Sequence, residues 1–191
     1  MNKVLKLVSP MPPSVNHYLA YRCIYNKKTK KWMAMSYKTA DATKYQKDFT
    51  KYVIEEVKKQ GWKISENKYQ HYYFDVVFYF PRIDMDANNY FKCCLDSITE
   101  SELVWIDDNQ VCERVNRVFY DSKNPRMEIE IKPVDYIGVF DNTFQLEYFE
   151  SNCIGCMKYK RNCSLLIKAK EGRIQEDICD LVCSKFKPVK Q

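Results

Sequence analysis

Two neighbouring stretches of different periodicity do most to limit what this chain can fold into. Between Thr39 and Gln60 the apolar residues Tyr45, Phe49, Val53 and Val57 recur at every fourth position, which lays them along one side of a helix. Thr39 or Asp41 supplies a cap at the start, and Gly61 supplies the stop. Tyr69 to Phe80 then runs through aromatic and β-branched residues that favour a pleated, half-buried surface, and Pro81 ends the run. A one-sided helix followed by an apolar strand buries its stripe against a sheet, so the expectation is neither all-helical nor all-β.

The remaining segments fit an α+β fold, a mixed sheet with two main helices. Lys3 to Val8 alternates apolar and polar and is a predicted strand, halted by Pro10, Pro12 and Pro13. Tyr21 to Tyr25 and Trp32 to Tyr37 flank the polar stretch Asn26 to Lys31, which predicts a hairpin with a basic tip. Asn88 to Ile98 predicts a short helix with Phe91, Cys94, Leu95 and Ile98 on one side. Lys92 and Asp96 then lie one turn apart on another face. Val111 to Tyr120 and Arg126 to Ile131 are predicted strands joined by the turn Asp121 to Pro125. A change of character places a boundary near residue 140, leaving a domain over 1–140 and a cysteine-rich appendage over 141–191.

With 46% apolar residues the chain has material for a core, which argues against disorder. No apolar run approaches the ~20 residues of a membrane span, and no export-signal pattern opens the sequence, so the expectation is a soluble, cytoplasmic protein. Nine cysteines, an odd number, fit reduced thiols in that compartment better than a disulfide scaffold. The net charge of +6 is unevenly placed. Lys27, Lys28, Lys30 and Lys31 cluster at the hairpin tip, while acids gather at Asp84, Asp86, Asp96, Asp107 and Asp108. Basic surface around an acidic pocket suits a polyanion cut with the help of cations.

The acids lie where strands end or helices begin, so they can converge. Magnesium takes hard oxygen ligands and is held by one or two carboxylates together with substrate phosphate. Lys92 is placed to neutralise charge developing on a phosphate. Three motifs carry a resemblance: Pro10-Met-Pro-Pro-Ser-Val-Asn16-His-Tyr18; Asp84-Met-Asp86-Ala-Asn88-Asn89-Tyr-Phe-Lys92 with Leu95-Asp96-Ser-Ile98; and Val104-Trp-Ile-Asp107-Asp108-Asn-Gln110-Val111. In this order and spacing the chain resembles the RusA family of Holliday junction resolvases over about residues 5 to 135. The resemblance implies a homodimer that binds four-way DNA junctions and nicks two strands symmetrically with magnesium (or manganese), leaving 5′-phosphates. It implies Asp86, Asp108 and Lys92 as catalytic residues; Asp84 joins them as a catalytic candidate, and Asp84, Asp86, Asn88, Asp107 and Asp108 are the candidate magnesium ligands. The family pattern D-x-D-N-x-x-K, anchored on Asn89 and Lys92, sets its second acid at Asn88, where this chain departs. Asn88 still offers a carbonyl oxygen and Asp84 could supply the missing charge; the alternative is that the departure weakens cleavage and leaves a module that binds branched DNA. Asn16 and His17, by the same resemblance, contact phosphate or support the metal site, and Asn16 joins the hairpin lysines as a DNA-binding candidate.

Cys153-Ile-Gly-Cys156, followed by Cys163, Cys179 and Cys183, begins with a pair of the kind that starts many tetrahedral zinc sites. The expected ligands are Cys153, Cys156, Cys163 and Cys183, with an iron–sulfur cluster as the alternative metal. Cys179 lies with Ile178 and Leu181 on a predicted helix. Cys93, Cys94 and Cys112 are expected to be small core residues.

Overall fold

The computed structural model describes residues 4–161 and 163–189. It divides into two compact units, one of residues 1–66 with 72–132 and one of residues 67–71 with 133–191. The first has a mixed α+β architecture. Its chain runs β1 (Leu5–Pro10), α1 (Val15–Tyr18), β2 (Leu19–Asn26), β3 (Lys31–Lys38), α2 (Ala40–Gln60), β4 (Tyr72–Phe80), α3 (Phe91–Thr99), β5 (Val111–Tyr120) and β6 (Arg126–Pro133). Four strands form one sheet in the order β1-β6-β4-β5, with β1 and β6 antiparallel and β4 and β5 parallel. A parallel pair needs a crossover, and α3 with its flanking turns supplies it. The hairpin β2–β3 forms a separate two-stranded sheet.

The expected helix over 39–60 forms for the local reasons its sequence offers. The Thr39 side chain accepts a hydrogen bond from the Ala42 N–H at 3.2 Å, satisfying one orphan donor of the first turn. Gly61, at φ 59°, stops α2 in the left-handed conformation, and Trp62 N–H reaches back to the Val57 carbonyl. Tyr45, Phe49, Val53 and Val57 are all buried, and α2 packs on β1 and α3. Along β4 the core side is Tyr72, Phe74, Val76, Phe78 and Phe80, with Phe74 and Phe78 meeting Phe91 of α3 edge-on. At about 1.5–3 kcal/mol per buried large side chain, this stripe is the main reason α3 lies on the sheet.

The other side of β4 is held by charge. Asp75, 3% exposed, receives two hydrogen bonds from Arg114 on β5, at 2.6 and 2.7 Å, and an ion pair from Lys132 on β6 at 3.1 Å. Burial pushes its carboxyl up, but the two cations prevail and hold it below the ordinary carboxylate range. Arg114 also stacks on the Tyr73 ring at 3.6 Å. Three neighbouring strands are thus cross-linked through one carboxylate.

The second unit comprises α4 (Thr143–Asn152), α5 (Ser164–Lys170), β7 (Ile178–Cys179) and β8 (Val182–Cys183). Its main buried cluster is small: Phe140, Phe149 and Ala169, joined by half-buried residues including Leu146, Leu166 and Ile178, with Val134 and Ile137 also buried in this unit. Gly138, at φ 60°, lies so close to the Ala169 and Lys170 carbonyls that any Cβ would collide with backbone. The helix expected around Cys179 is corrected here. Ile178–Cys179 and Val182–Cys183 pair as an antiparallel hairpin, and Asp180 and Leu181 both take positive φ, as a two-residue primed turn requires.

Candidate active site

Beyond Pro81 the chain leaves β4 into Arg82 to Asp86. The Asp86 carboxylate accepts the Asn88 N–H at 3.1 Å, capping a tight helical turn over Ala87–Tyr90 that leads directly into α3. This turn absorbs the first residues of the expected 88–98 helix, so α3 begins at Phe91 and Lys92 stands in its first turn. Phe91, Cys93, Cys94, Leu95 and Ile98 are buried. Lys92 faces outward and pairs with Asp96 at 2.7 Å, one turn along the helix as the spacing implied.

Asp108 reaches the same lysine from another segment. Asp107 caps the turn Asp108–Gln110 by accepting from the Asn109 N–H at 2.9 Å, and the Gln110 side chain closes the capping box. This fixed turn brings the Asp108 Oδ2 to 3.2 Å from Lys92 Nζ. Hydrogen bonds from Lys92 to Asp96, and more weakly to Asp108, hold its ammonium above the ordinary lysine value. The group is therefore a cation at any neutral pH, bridging two carboxylates.

Two members of this cluster were not singled out from the sequence. The Tyr18 hydroxyl donates to Asp96 Oδ2 at 2.5 Å, and burial and then Asp96 push the phenol well up. Its signal was present, since Tyr18 closes the first of the three motifs. Glu113 on β5 is the other: partial desolvation, then the like charge of Asp108, raise its carboxyl above the ordinary range. Its position in a strand gave no sign of this.

Asp84 pairs with Arg82 at 3.1 Å, both side chains being well exposed. Burial first, and then the charges of Asp84 and Asp86 against the opposing Arg82, raise the Tyr90 phenol above its ordinary value. Asp86, Asn88 and Asp107 are exposed and Asp108 is half-buried. Among the described residues, no three His, Cys, Asp or Glu side chains are grouped so as to hold a metal ion. That leaves the donor chemistry to decide whether magnesium fits. Its usual protein ligation is only one or two carboxylates, the rest coming from water and substrate, and Asp86 and Asp108 are hard oxygen donors within reach of solvent. Asp86 and Asp108 are of the donor type that such an ion takes.

Asn16 and His17 share α1 with Tyr18, and α1 contacts α3 and the Ala87–Tyr90 turn. Lys27, Lys28, Lys30 and Lys31 are exposed at the hairpin tip, where the Asn26 side chain accepts from the Lys28 and Thr29 N–H groups and shapes the turn. Asn16 is exposed on α1, and the His17 Nδ1 lies 3.0 Å from Ser14 Oγ. In the second unit Cys153, Cys156, Cys163 and Cys183 line one cavity of about 240 Å³. Burial, then the charges of the other three sulfurs, push the Cys153 thiol up to about 11. Backbone N–H groups of Lys187, Lys158 and Tyr159 act in the opposite sense on Cys156. Cys93 and Cys94 are buried and Cys112 is half-buried.

The family model for endodeoxyribonuclease RusA matches residues 10–132, well over half of the chain. The chain belongs to the RusA family. It is accordingly a nuclease of the endodeoxyribonuclease class, and the family's action is the resolution of Holliday junctions, so branched DNA is its class of substrate. The RusA match takes in α1, the hairpin, the Asp84–Lys92 segment and the Asp107–Asp108 turn, and it ends before the cysteines of the second unit. No curated protein matches the chain. No helix among the described residues is long and apolar enough to cross a membrane.

Proposed function

We propose that this RusA-family protein is a magnesium-dependent resolvase that, as a homodimer, cuts two strands of a four-way DNA junction symmetrically during recombination or repair. The observation that carries the reading is Lys92 held between Asp96 and Asp108 inside the matched segment. Magnesium or manganese, when bound, supplies Lewis acidity toward a phosphate oxygen and a more acidic water. Asp86 and Asp108 are the carboxylates that hold it, with the Asn88 carbonyl and Asp84 as further oxygen donors. Asp107 holds the Asp108 turn in place and would offer a further oxygen to the ion. Lys92 meets the negative charge that builds on the phosphate as water attacks phosphorus. The P–O3′ bond breaks, leaving a 5′-phosphate and a free 3′-hydroxyl. Asp96, itself fixed by Tyr18, keeps the Lys92 ammonium oriented. Asn16 and the tip lysines Lys27, Lys28, Lys30 and Lys31 bind phosphates away from the cut. The test is cleavage of a synthetic four-way junction with and without magnesium, scored for paired nicks against a linear duplex of the same length.

For the second unit we propose one zinc ion on Cys153, Cys156, Cys163 and Cys183. Their shared cavity supports this, as does a core too small to fold well without a cross-link. Binding would draw the sulfurs to about 2.3 Å from the ion. Metal analysis of protein purified without added metal separates zinc from an iron–sulfur cluster. Less than about half an equivalent of zinc, with all thiols reactive, removes the claim.

A further inference from the structure

The hairpin β2–β3 carries a surface that the cleavage chemistry does not use. It stands outside the four-stranded sheet, and every residue of β3 is exposed. A lone two-stranded hairpin is marginal in water, and this one leaves large aromatic rings uncovered. Tyr21 and Trp32 are 73% and 71% exposed, and Tyr25 is also exposed. The register sets Tyr25 opposite Trp32, and Tyr21 lies four residues before Tyr25 on the same strand, so all three share one face. The Tyr25 and Trp32 rings meet edge to face with centroids 5.5 Å apart.

The charge of this segment says what covers it. From Leu19 to Lys38 the sequence has Arg22, Lys27, Lys28, Lys30, Lys31 and Lys38 and no Asp or Glu. A second copy of the same ribbon would bring like charges together, whereas a nucleic-acid strand is attracted along its whole length. Stacking on aromatic faces needs bases whose own π-faces are free, and duplex DNA hides them.

We propose that Tyr21, Tyr25 and Trp32 form a platform on which unpaired bases of the DNA substrate stack while the tip lysines hold flanking phosphates. This rests on the branched-DNA reading above, and it adds a preference for unpaired nucleotides at the branch. Trp32 provides a direct probe, because Trp62 and Trp105 are 7% and 1% exposed. The full chain is titrated with a junction having an unpaired centre, with oligo(dT), and with a fully paired duplex, following tryptophan emission. Quenching by the first two and little change with the duplex is the expected result. Trp32→Ala with Tyr21→Ala, both at exposed positions, should weaken junction and oligo(dT) binding roughly 5- to 150-fold for each base left unstacked, with duplex affinity nearly unchanged. Tight junction binding without quenching overturns the platform and leaves the nuclease reading standing. Failure to bind any DNA overturns both. Loss of self-association in the variant at unchanged DNA affinity would assign the face to a second copy and overturn the proposal.

Discussion

Lys92 has two carboxylate partners, and its neighbours divide the work at the level of single residues. Asp108 and Asp86 are the proposed metal ligands, so Asp108→Asn and Asp86→Asn should abolish junction cleavage. Binding should survive or tighten, since each change removes a negative charge facing phosphate; gel-shift and cleavage assays on the same junction separate the two. Lys92→Ala should lower the cleavage rate on the order of 10²- to 10³-fold with the fold intact. If Asp84 supplies the charge missing at Asn88, Asp84→Asn costs far more cleavage than Asn88→Ala; the reverse order assigns the ligand to Asn88. The pairing of Lys92 with Asp96 was legible because helical spacing alone sets it. Glu113 was not, because the desolvation that shifts it depends on the packing of β5 beside the Asp108 turn, which no local pattern encodes.

At the scale of elements, the sheet depends on Asp75 as much as on its apolar side. Asp75→Asn leaves Arg114 and Lys132 facing a neutral group and should cost on the order of 3 kcal/mol, the low end for a buried pair because both cations remain partly exposed. Denaturant unfolding of the variant measures it. The carboxyl is held below its unfolded value, so this contribution is present above about pH 4 and is lost as pH falls through the lower folded value. For the hairpin, replacing Lys27, Lys28, Lys30 and Lys31 by alanine should reduce the salt slope of DNA affinity by up to about one unit for each phosphate no longer neutralised, read from binding at several salt concentrations. Elements with strong local signals were readable in advance: α2 with its Thr39 cap and Gly61 stop, and β5 from Val111 to Tyr120. The β7–β8 hairpin was misread because Asp180 and Leu181 carry positive φ without the glycine or asparagine that usually announces it.

At the scale of the whole molecule, the RusA match ends at residue 132 and the cysteines begin to cluster at 153, so the two proposed metals serve different units. A zinc chelator should loosen residues beyond 133, detected by hydrogen exchange, while residues 4–66 and 72–132 stay protected. The order of motifs along the chain made the family legible before the structure, because three spaced motifs constrain far more than any one acidic pair. The approach of Asp108 to Lys92 was not legible, since it depends on the Asp107-capped turn meeting a helix from another part of the chain. The most direct test of the central claim is one cleavage assay: wild-type protein and Asp108→Asn on a four-way junction, each with and without magnesium. Paired symmetric nicks by the wild type with magnesium alone, and none by the variant, is the predicted result. Equal cleavage by the variant, or by the wild type in the presence of a chelator, would contradict it.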